Sequence, residues 1–374
     1  MAPLRVVWQH QLQMLTSITI KDFRTFKDVT IPLKPITVFI GPNNSGKTNA
    51  IRAIQLLTSA VGTRPDRSGF IRHAEGAPFE LTASGQFGPF LLTLTLSEPT
   101  QTEFQGTASI ELGGAQKWAA TYSGRKNEAH SPKGATFHSN NPAEFLRSSL
   151  ERIVQDLPAA RPALDFFQGV RTASLSVPVL REPATISSDP VLGERGENFG
   201  AVLDWISGKR PALFRSINEE LVRVLKVDGC TTLVTQDGLK VPAIIEGDRS
   251  FGADQISDGV LLYLGLTTVA RLVGSGSLLV VEEPENGIHP RRLKDLLEQI
   301  RAISRSGTQI ILTTHSPILL DEFSEQPESI VVFDRDSSGT HVSQPNPEQL
   351  KQVLSGDFGL GSLWFSGAIG GVPA

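Results

Sequence analysis

Ile36-Thr37-Val38-Phe39-Ile40-Gly41-Pro42-Asn43-Asn44-Ser45-Gly46-Lys47-Thr48-Asn49 joins a short β-type run to a glycine-punctuated loop, and a helical pattern continues from Asn49 through Thr58. The loop has the spacing G-x-x-x-x-G-K-[ST] with a strand before it and a helix after it, the setting that motif requires. Gly41 and Gly46 let the intervening Pro42, Asn43, Asn44 and Ser45 curl until backbone N–H groups point inward at a polyphosphate. The new helix adds its positive end. Lys47 is then spaced to reach the β- and γ-phosphates, and the Thr48 hydroxyl to ligate Mg²⁺.

Upstream of this stretch, Ser17 to Phe23 alternates as a strand and runs into Arg24-Thr25-Phe26-Lys27-Asp28, with a second alternating segment from Val29 to Leu33. Downstream, Phe79–Ala83, Phe90–Leu96, Thr107–Leu112 and Trp118–Tyr122 read as strands separated by Gly, Ser and Pro, without helical crossovers, and so predict an antiparallel sheet. Ser123 to Pro142 reads as a mobile loop. Its Arg125, Lys126 and Lys133 suit either a contact surface or plain solvation. Helical patterns cover Ala143–Gln155, Phe199–Ile206 and Pro211–Leu225. The turn-rich stretches Leu175–Pro183 and Gly193–Asn198 are either a working loop or a connector. In the final third, helices at Ser257–Val273 and Pro290–Ser304 alternate with strands at Leu278–Val281, Gln309–Thr313 and Ser329–Asp334, and a tail follows with Leu350–Val353 and Gly359–Trp364. The expected fold is α/β: one nucleotide-binding domain over residues 16–374, behind a leader at 1–15. Its parts are a phosphate-loop and β-rich lobe (16–122), an inserted loop and helical region (123–250), a second lobe (251–342) and a tail (343–374).

The second lobe carries the remaining chemistry. Leu278-Leu279-Val280-Val281-Glu282-Glu283-Pro284 is an apolar strand ending in two carboxylates, and the carboxyl ends of parallel strands line the ligand crevice of open α/β sheets. Glu282 suits a Mg²⁺ ligand, and Glu283 suits a group that orients or deprotonates an attacking water. Ile310 to Thr314 is a buried strand with His315 just past its end, a position suited to a γ-phosphate. Gln255-Ile256-Ser257-Asp258-Gly259-Val260 opens a helix. Ser257 is either an ordinary N-cap or, with Gly259, part of an anion-binding helix start.

Composition narrows the class. Hydrophobic residues are 39% and charged residues 20%, a soluble globular balance, and no run of eighteen apolar residues is present. The first residues lack a signal-peptide pattern, and Cys230 is the single cysteine, so a reducing, cytoplasmic setting without a membrane is expected. Lys+Arg number 35 against 39 Asp+Glu, which disfavours coating nucleic acid as the main task while leaving local basic patches open.

In their order, these motifs resemble the ATP-binding-cassette (ABC) ATPases of the chromosome-maintenance (SMC) and RecF class. More closely, they resemble the ATPase module of OLD (overcoming lysogenisation defect) nucleases and the related stand-alone AAA-type ATP-binding proteins of bacteria. Gly41 to Thr48 corresponds to Walker A, Ile256-Ser257-Asp258-Gly259 to the signature motif and Glu282-Glu283-Pro284 to the end of Walker B. Glu285 to Pro290 corresponds to the D-loop and His315 to the switch histidine. Ile20 to Phe26 resembles the opening strand, whose residues, Arg24 among them, lie near the nucleotide base.

The resemblance implies an ABC ATPase head with ATP and Mg²⁺ as cofactors. It also implies a head-to-tail homodimer, ATP-dependent, or a higher oligomer, with Lys47, Thr48, Glu282, Glu283 and His315 of one copy facing Ser257 and Gly259 of another across an ATP, and with Asp258 among the nucleotide-binding residues. Glu283 would be the general base. Asp258 stands where a second glycine is common, and Glu282 where Asp is usual. Gln86 and Gln168 are the candidates for a Q-loop glutamine. The short tail after Asp334 leaves no room for the Toprim nuclease domain of OLD proteins, so a nuclease or other effector is expected as a separate partner, alongside DNA. A membrane-transporter cassette is disfavoured because its transporter-facing helical region is not evident.

Overall fold

The computed structural model describes residues 13–61, 79–87, 90–98, 107–113, 118–123, 126–128, 148, 151–152, 154–155, 157–346, 350 and 359–371. The expected leader through residue 12, most of the basic loop Ser123–Pro142 and most of the tail segment Leu350–Val353 lie outside the described residues. The chain divides into two compact units, Met1–Leu33 with Asn49–Gln168, and Lys34–Thr48 with Gly169–Ala374.

The first unit is built on a seven-stranded antiparallel sheet of order β2-β1-β4-β5-β6-β7-β8. Its strands are β1 (Gln13–Lys21), β2 (Asp28–Pro32), β4 (Phe79–Phe87), β5 (Phe90–Glu98), β6 (Thr107–Gly113), β7 (Trp118–Ser123) and β8 (Lys126–Glu128). Alternation along β1 breaks between Leu15 and Ile18, both buried although three residues apart. The pairing with β4 shows the cause: a bulge between Leu15 and Ser17 resets which face each side chain meets. The helix Arg161–Gln168, which the sequence patterns did not single out, packs Phe166 edge-to-face on Phe87 of β4, ring centroids 5.2 Å apart.

The second unit holds a six-stranded sheet of order β16-β15-β3-β14-β13-β9, formed by β3 (Ile36–Ile40), β9 (Arg171–Ala173), β13 (Leu278–Glu282), β14 (Gln309–Thr313), β15 (Ile330–Asp336) and β16 (Gly339–Ser343). All neighbours are parallel except the edge hairpin β15–β16. Every residue of β3 and β14 is buried, the continuous burial that a parallel sheet covered on both faces imposes. The strand order puts β14 between the glycine-loop strand and the Glu282-Glu283 strand, so the residues just past β14 sit centrally at the carboxyl edge.

A buried polar knot joins three helices of this unit. Glu220 Oε1 accepts from the Tyr263 hydroxyl at 3.0 Å and from Gln299 Nε2 at 2.9 Å, tying Pro211–Leu225, Asp258–Leu272 and Pro290–Arg305 together. Burial, followed by the Glu220 carboxylate, raises the Tyr263 phenol well above its ordinary range, so it remains a donor.

One stretch departs from the sequence reading. The region expected to be loop and helix contains a three-stranded antiparallel sheet, β10 (Gly229–Val234), β11 (Lys240–Glu246) and β12 (Arg249–Gly252). Two tight turns, with Gly238 and Gly247 at positive φ, carry the hairpins. The connector before it is tied down: Ser174 and Ser176 N–H groups donate to the carbonyls of Glu194 and Arg195, and Ala184 exchanges backbone hydrogen bonds with Lys240.

Candidate functional site

The glycine loop leaves β3 and is gripped by the β15–β16 hairpin. Thr340 donates its hydroxyl to the Ser45 carbonyl at 2.9 Å, and Arg335 reaches the Asn44 carbonyl at 3.4 Å. Gly41 and Gly46 have φ of +145° and +114°. A Cβ on Gly41 would stand 2.3 Å from the Phe333 carbonyl oxygen, and one on Gly46 would stand 2.6 Å from the Thr340 hydroxyl. Both glycines are therefore required by the loop's own packing as well as by its curl. Gly371, near the C-terminal end of the described residues, also abuts the loop: its N–H donates to the Asp334 carboxylate, and a Cβ there would lie 3.3 Å from Gly41 Cα.

Lys47 begins the helix Lys47–Val61, earlier than the predicted start, with its side chain turned back to donate to the carbonyls of Gly41 at 2.7 Å and Pro42 at 2.9 Å. Burial is the main reason its ammonium falls to about 8, and the Glu283 carboxylate opposes that shift. Ser45 is 1% exposed and its hydroxyl has no hydrogen-bond partner, while Asn43, Asn44 and Thr48 are exposed.

Glu283 follows β13 in a left-handed conformation, φ +46°, uncommon for a side chain of its size. Its N–H donates to the Thr313 carbonyl at 3.0 Å, which holds the carboxylate at the sheet edge. There it accepts from the Asn286 side-chain amide and lies 3.5 Å from His315 Nε2. The His315 imidazole is pushed below its ordinary range, first by burial and then by Lys47, against the pull of Glu283, so it is neutral at neutral pH. Lys47, Glu283 and His315 thus act on one another electrostatically. Glu282 caps β13 in register with Thr313.

Glu285 was missed as a site residue. Its Oε1 accepts from the Thr314 hydroxyl at 2.6 Å and from the His315 N–H at 2.9 Å, so it fixes the backbone that carries the histidine. Burial raises its carboxyl above the ordinary range, offset in part by those hydrogen bonds. The sequence placed it at the head of the D-loop stretch Glu285 to Pro290, without a role at the site.

Ser257 occupies the N-cap position of Asp258–Leu272, but its side chain makes no capping hydrogen bond and is exposed. The capping explanation of this serine therefore does not hold. A Cβ on Gly259 would lie 2.8 Å from the Gly287 carbonyl, so the helix start packs closely on the loop that follows Glu283. In the other unit, Arg24 (φ +54°) donates to Asn49 Oδ1 at 3.1 Å, and Asn49 donates to the Thr25 hydroxyl at 3.0 Å. Gln86 lies on β4, and Gln168 ends Arg161–Gln168.

Two family models match this chain: "AAA domain, putative AbiEii toxin, Type IV TA system" over residues 199–321, and "AAA ATPase domain" over residues 14–78. The OLD nuclease of Thermus scotoductus is 24% identical over 348 residues, 86% of this chain and 63% of that protein. The Old nuclease of Escherichia phage P2 is 23% identical over 91% of this chain and 62% of its own length. The SmcHead solved bound to the C-winged helix domain of ScpA has the same fold, with a TM-score of 0.56 and 15% identity over 90% of this chain and 99% of that one. In sequence the chain is similar to OLD nucleases and AAA-type ATPase domains, and in fold to an SMC head. It spans a little under two thirds of the length of the two OLD relatives.

The donor set of this OLD-like chain fits ATP with Mg²⁺. A buried ammonium and an unpartnered buried hydroxyl lie within a curled loop, and Thr48 and Glu282 carry oxygen donors of the hard type that Mg²⁺ takes. Mg²⁺ needs only one or two such groups when phosphate oxygens and water complete its shell. Among the described residues no three or more His, Cys, Asp and Glu side chains are clustered to hold a metal. No helix among the described residues is long and apolar enough to cross a membrane.

Proposed function

We propose that this protein binds and hydrolyses ATP with Mg²⁺ and that two copies close head to tail on the nucleotide. The supporting observation is the meeting of Lys47, Glu283 and His315 at one sheet edge, with Glu283 3.5 Å from His315. In this reading Lys47 neutralises the β- and γ-phosphates, and Thr48 and Glu282 hold the metal. Glu283 accepts the proton of the attacking water, and neutral His315 hydrogen-bonds the γ-phosphate. Ser257 and Gly259 of the second copy complete the site. The cycle switches a DNA-bound or effector-bound state in a bacterial cytoplasm, in repair or phage defence. The kinship with OLD nucleases supports that setting.

The test pairs phosphate release, with and without double-stranded DNA, with solution mass. Glu283→Gln is expected to retain ATP and shift from monomer to dimer with ATP-Mg²⁺, and Lys47→Ala to lose both. Unchanged turnover in Glu283→Gln would remove that residue as the base. A second reading, an ATP-gated scaffold with negligible turnover, is favoured by the engagement of the Glu283 carboxylate by both Asn286 and His315. It predicts ATP-dependent dimerisation of the unmodified chain without phosphate release.

A further inference from the structure

Arg181, in the connector, spans the whole start of the Ser257 helix with one guanidinium. Nε donates to the Ala253 carbonyl at 2.8 Å, and Nη2 donates to the Ile256 carbonyl and to Asp258 Oδ1, each at 2.8 Å. These contacts hold the turn before the helix and the first residue within it. A planar fork with fixed donors suits that task, and a lysine could not reproduce it.

The arginine is itself anchored. Its neighbour Leu180 is fully buried, with its methyl groups 3.3 and 3.4 Å from where a Cβ on Gly265 would stand, two turns into the same helix. Three residues on, Ala184 is pinned to Lys240 by paired backbone hydrogen bonds. The guanidinium is thus presented from a connector fixed on both sides.

The charges point the same way. Asp258 puts a carboxylate on a helix start whose free N–H groups attract anions, and an uncompensated negative charge there would oppose a phosphate. The ion pair with Arg181 offsets that charge and draws the carboxylate toward the connector. Ser257 stays exposed, without a capping bond.

We propose that Arg181 is a positioning residue that holds Ser257 and Gly259 in the geometry offered to a second copy's nucleotide, and that Asp258 is its internal anchor rather than a nucleotide contact. This deepens the dimer reading above and rests on it. It accounts for an acidic residue where the related heads commonly have glycine, and it gives the connector a task.

The experiment uses the full chain carrying Glu283→Gln and measures three quantities: ATP affinity per chain with a fluorescent ATP analogue, thermal unfolding, and ATP-dependent dimerisation by solution mass. Adding Arg181→Ala is expected to weaken dimerisation at least about tenfold, with per-chain ATP affinity held within about twofold because Walker A lies in cis. Arg181→Lys is expected to recover only part of the loss. Asp258→Ala, at an exposed side chain that leaves the core intact, is expected to weaken dimerisation by a smaller factor and to add little on top of Arg181→Ala, since the two share one interaction. Dimerisation unchanged in both Arg181→Ala and Asp258→Ala would overturn the proposal. An equal loss of ATP affinity and dimerisation in Arg181→Ala would also overturn it, since the arginine would then serve the chain's own fold. Absence of ATP-dependent dimerisation in the parent Glu283→Gln chain would instead overturn the dimer reading, and this inference with it.

Discussion

Two helix starts in the second unit carry similar chemistry in opposite settings. At Ser45-Gly46-Lys47 the backbone is buried, and the β15–β16 hairpin grips it through Thr340 and Arg335. At Ser257-Asp258-Gly259 the serine and aspartate are exposed, and the segment is held by an arginine from a connector and by close packing on Gly287. A helix N-terminus attracts anions in either place. Burial separates them: the first is enclosed by segments of its own unit, and the second lies at the surface.

The sharpest way to break this contrast is chemical. Lys47→Ala and Glu283→Gln should each lower phosphate release by roughly 10²-fold or more, while Glu283→Gln keeps ATP affinity. A smaller loss in a phosphate-release assay would mean that the buried cradle does not house the reaction.

Packing comes next in size. Gly41→Ala forces a Cβ onto the Phe333 carbonyl at a φ that side chains avoid, and should cost about 2 kcal/mol of stability or more in denaturant unfolding. Gly259→Ala meets the Gly287 carbonyl at 2.8 Å without a positive φ and should cost less. Equal losses would erase the difference between the gripped loop and the open one.

Protonation sharpens the comparison further. Lys47 titrates at about 8 against an ordinary value of 10.5. Between these values the unfolded chain holds a proton that the folded chain has lost, so the lysine's contribution to stability rises with pH across that window. Affinity for a polyphosphate falls over the same window as the ammonium is lost. Melting temperature and nucleotide affinity of the unmodified chain and Lys47→Met, compared at about pH 7 and about pH 9.5, should move in opposite directions for the unmodified chain relative to the variant.

The smallest expected effect is at the open helix start. An ordinary capping serine contributes about 1 kcal/mol. Ser257 makes no capping bond, so Ser257→Ala should leave unfolding within about 0.5 kcal/mol while weakening ATP-dependent dimerisation. A full capping loss on melting would return this serine to a structural role.

Much of the site was legible because its chemistry is written in contiguous residues. The glycine loop, the Glu282-Glu283 strand end and the strand before His315 each combine an apolar run with a functional terminus, and their pairing in one parallel sheet follows from that burial. The three strands between Gly229 and Gly252 were harder to read. They are short, and Thr231, Thr232, Lys240 and Pro242 interrupt the apolar signal, so only their glycine turns marked them.

By itself, then, the sequence determined that a glycine loop of the G-x-x-x-x-G-K-[ST] spacing, a pair of acidic residues at a strand end and a histidine past another strand occur in one α/β chain, because steric spacing and hydrophobic periodicity are local properties. Only the tertiary structure decided that Gly371 abuts Gly41, that Glu285 holds the His315 backbone, and that Asp258 answers to Arg181, 77 residues away. Those contacts arise when distant segments share one packed core, and hydrogen-bond partners across such a distance leave no periodic trace along the chain.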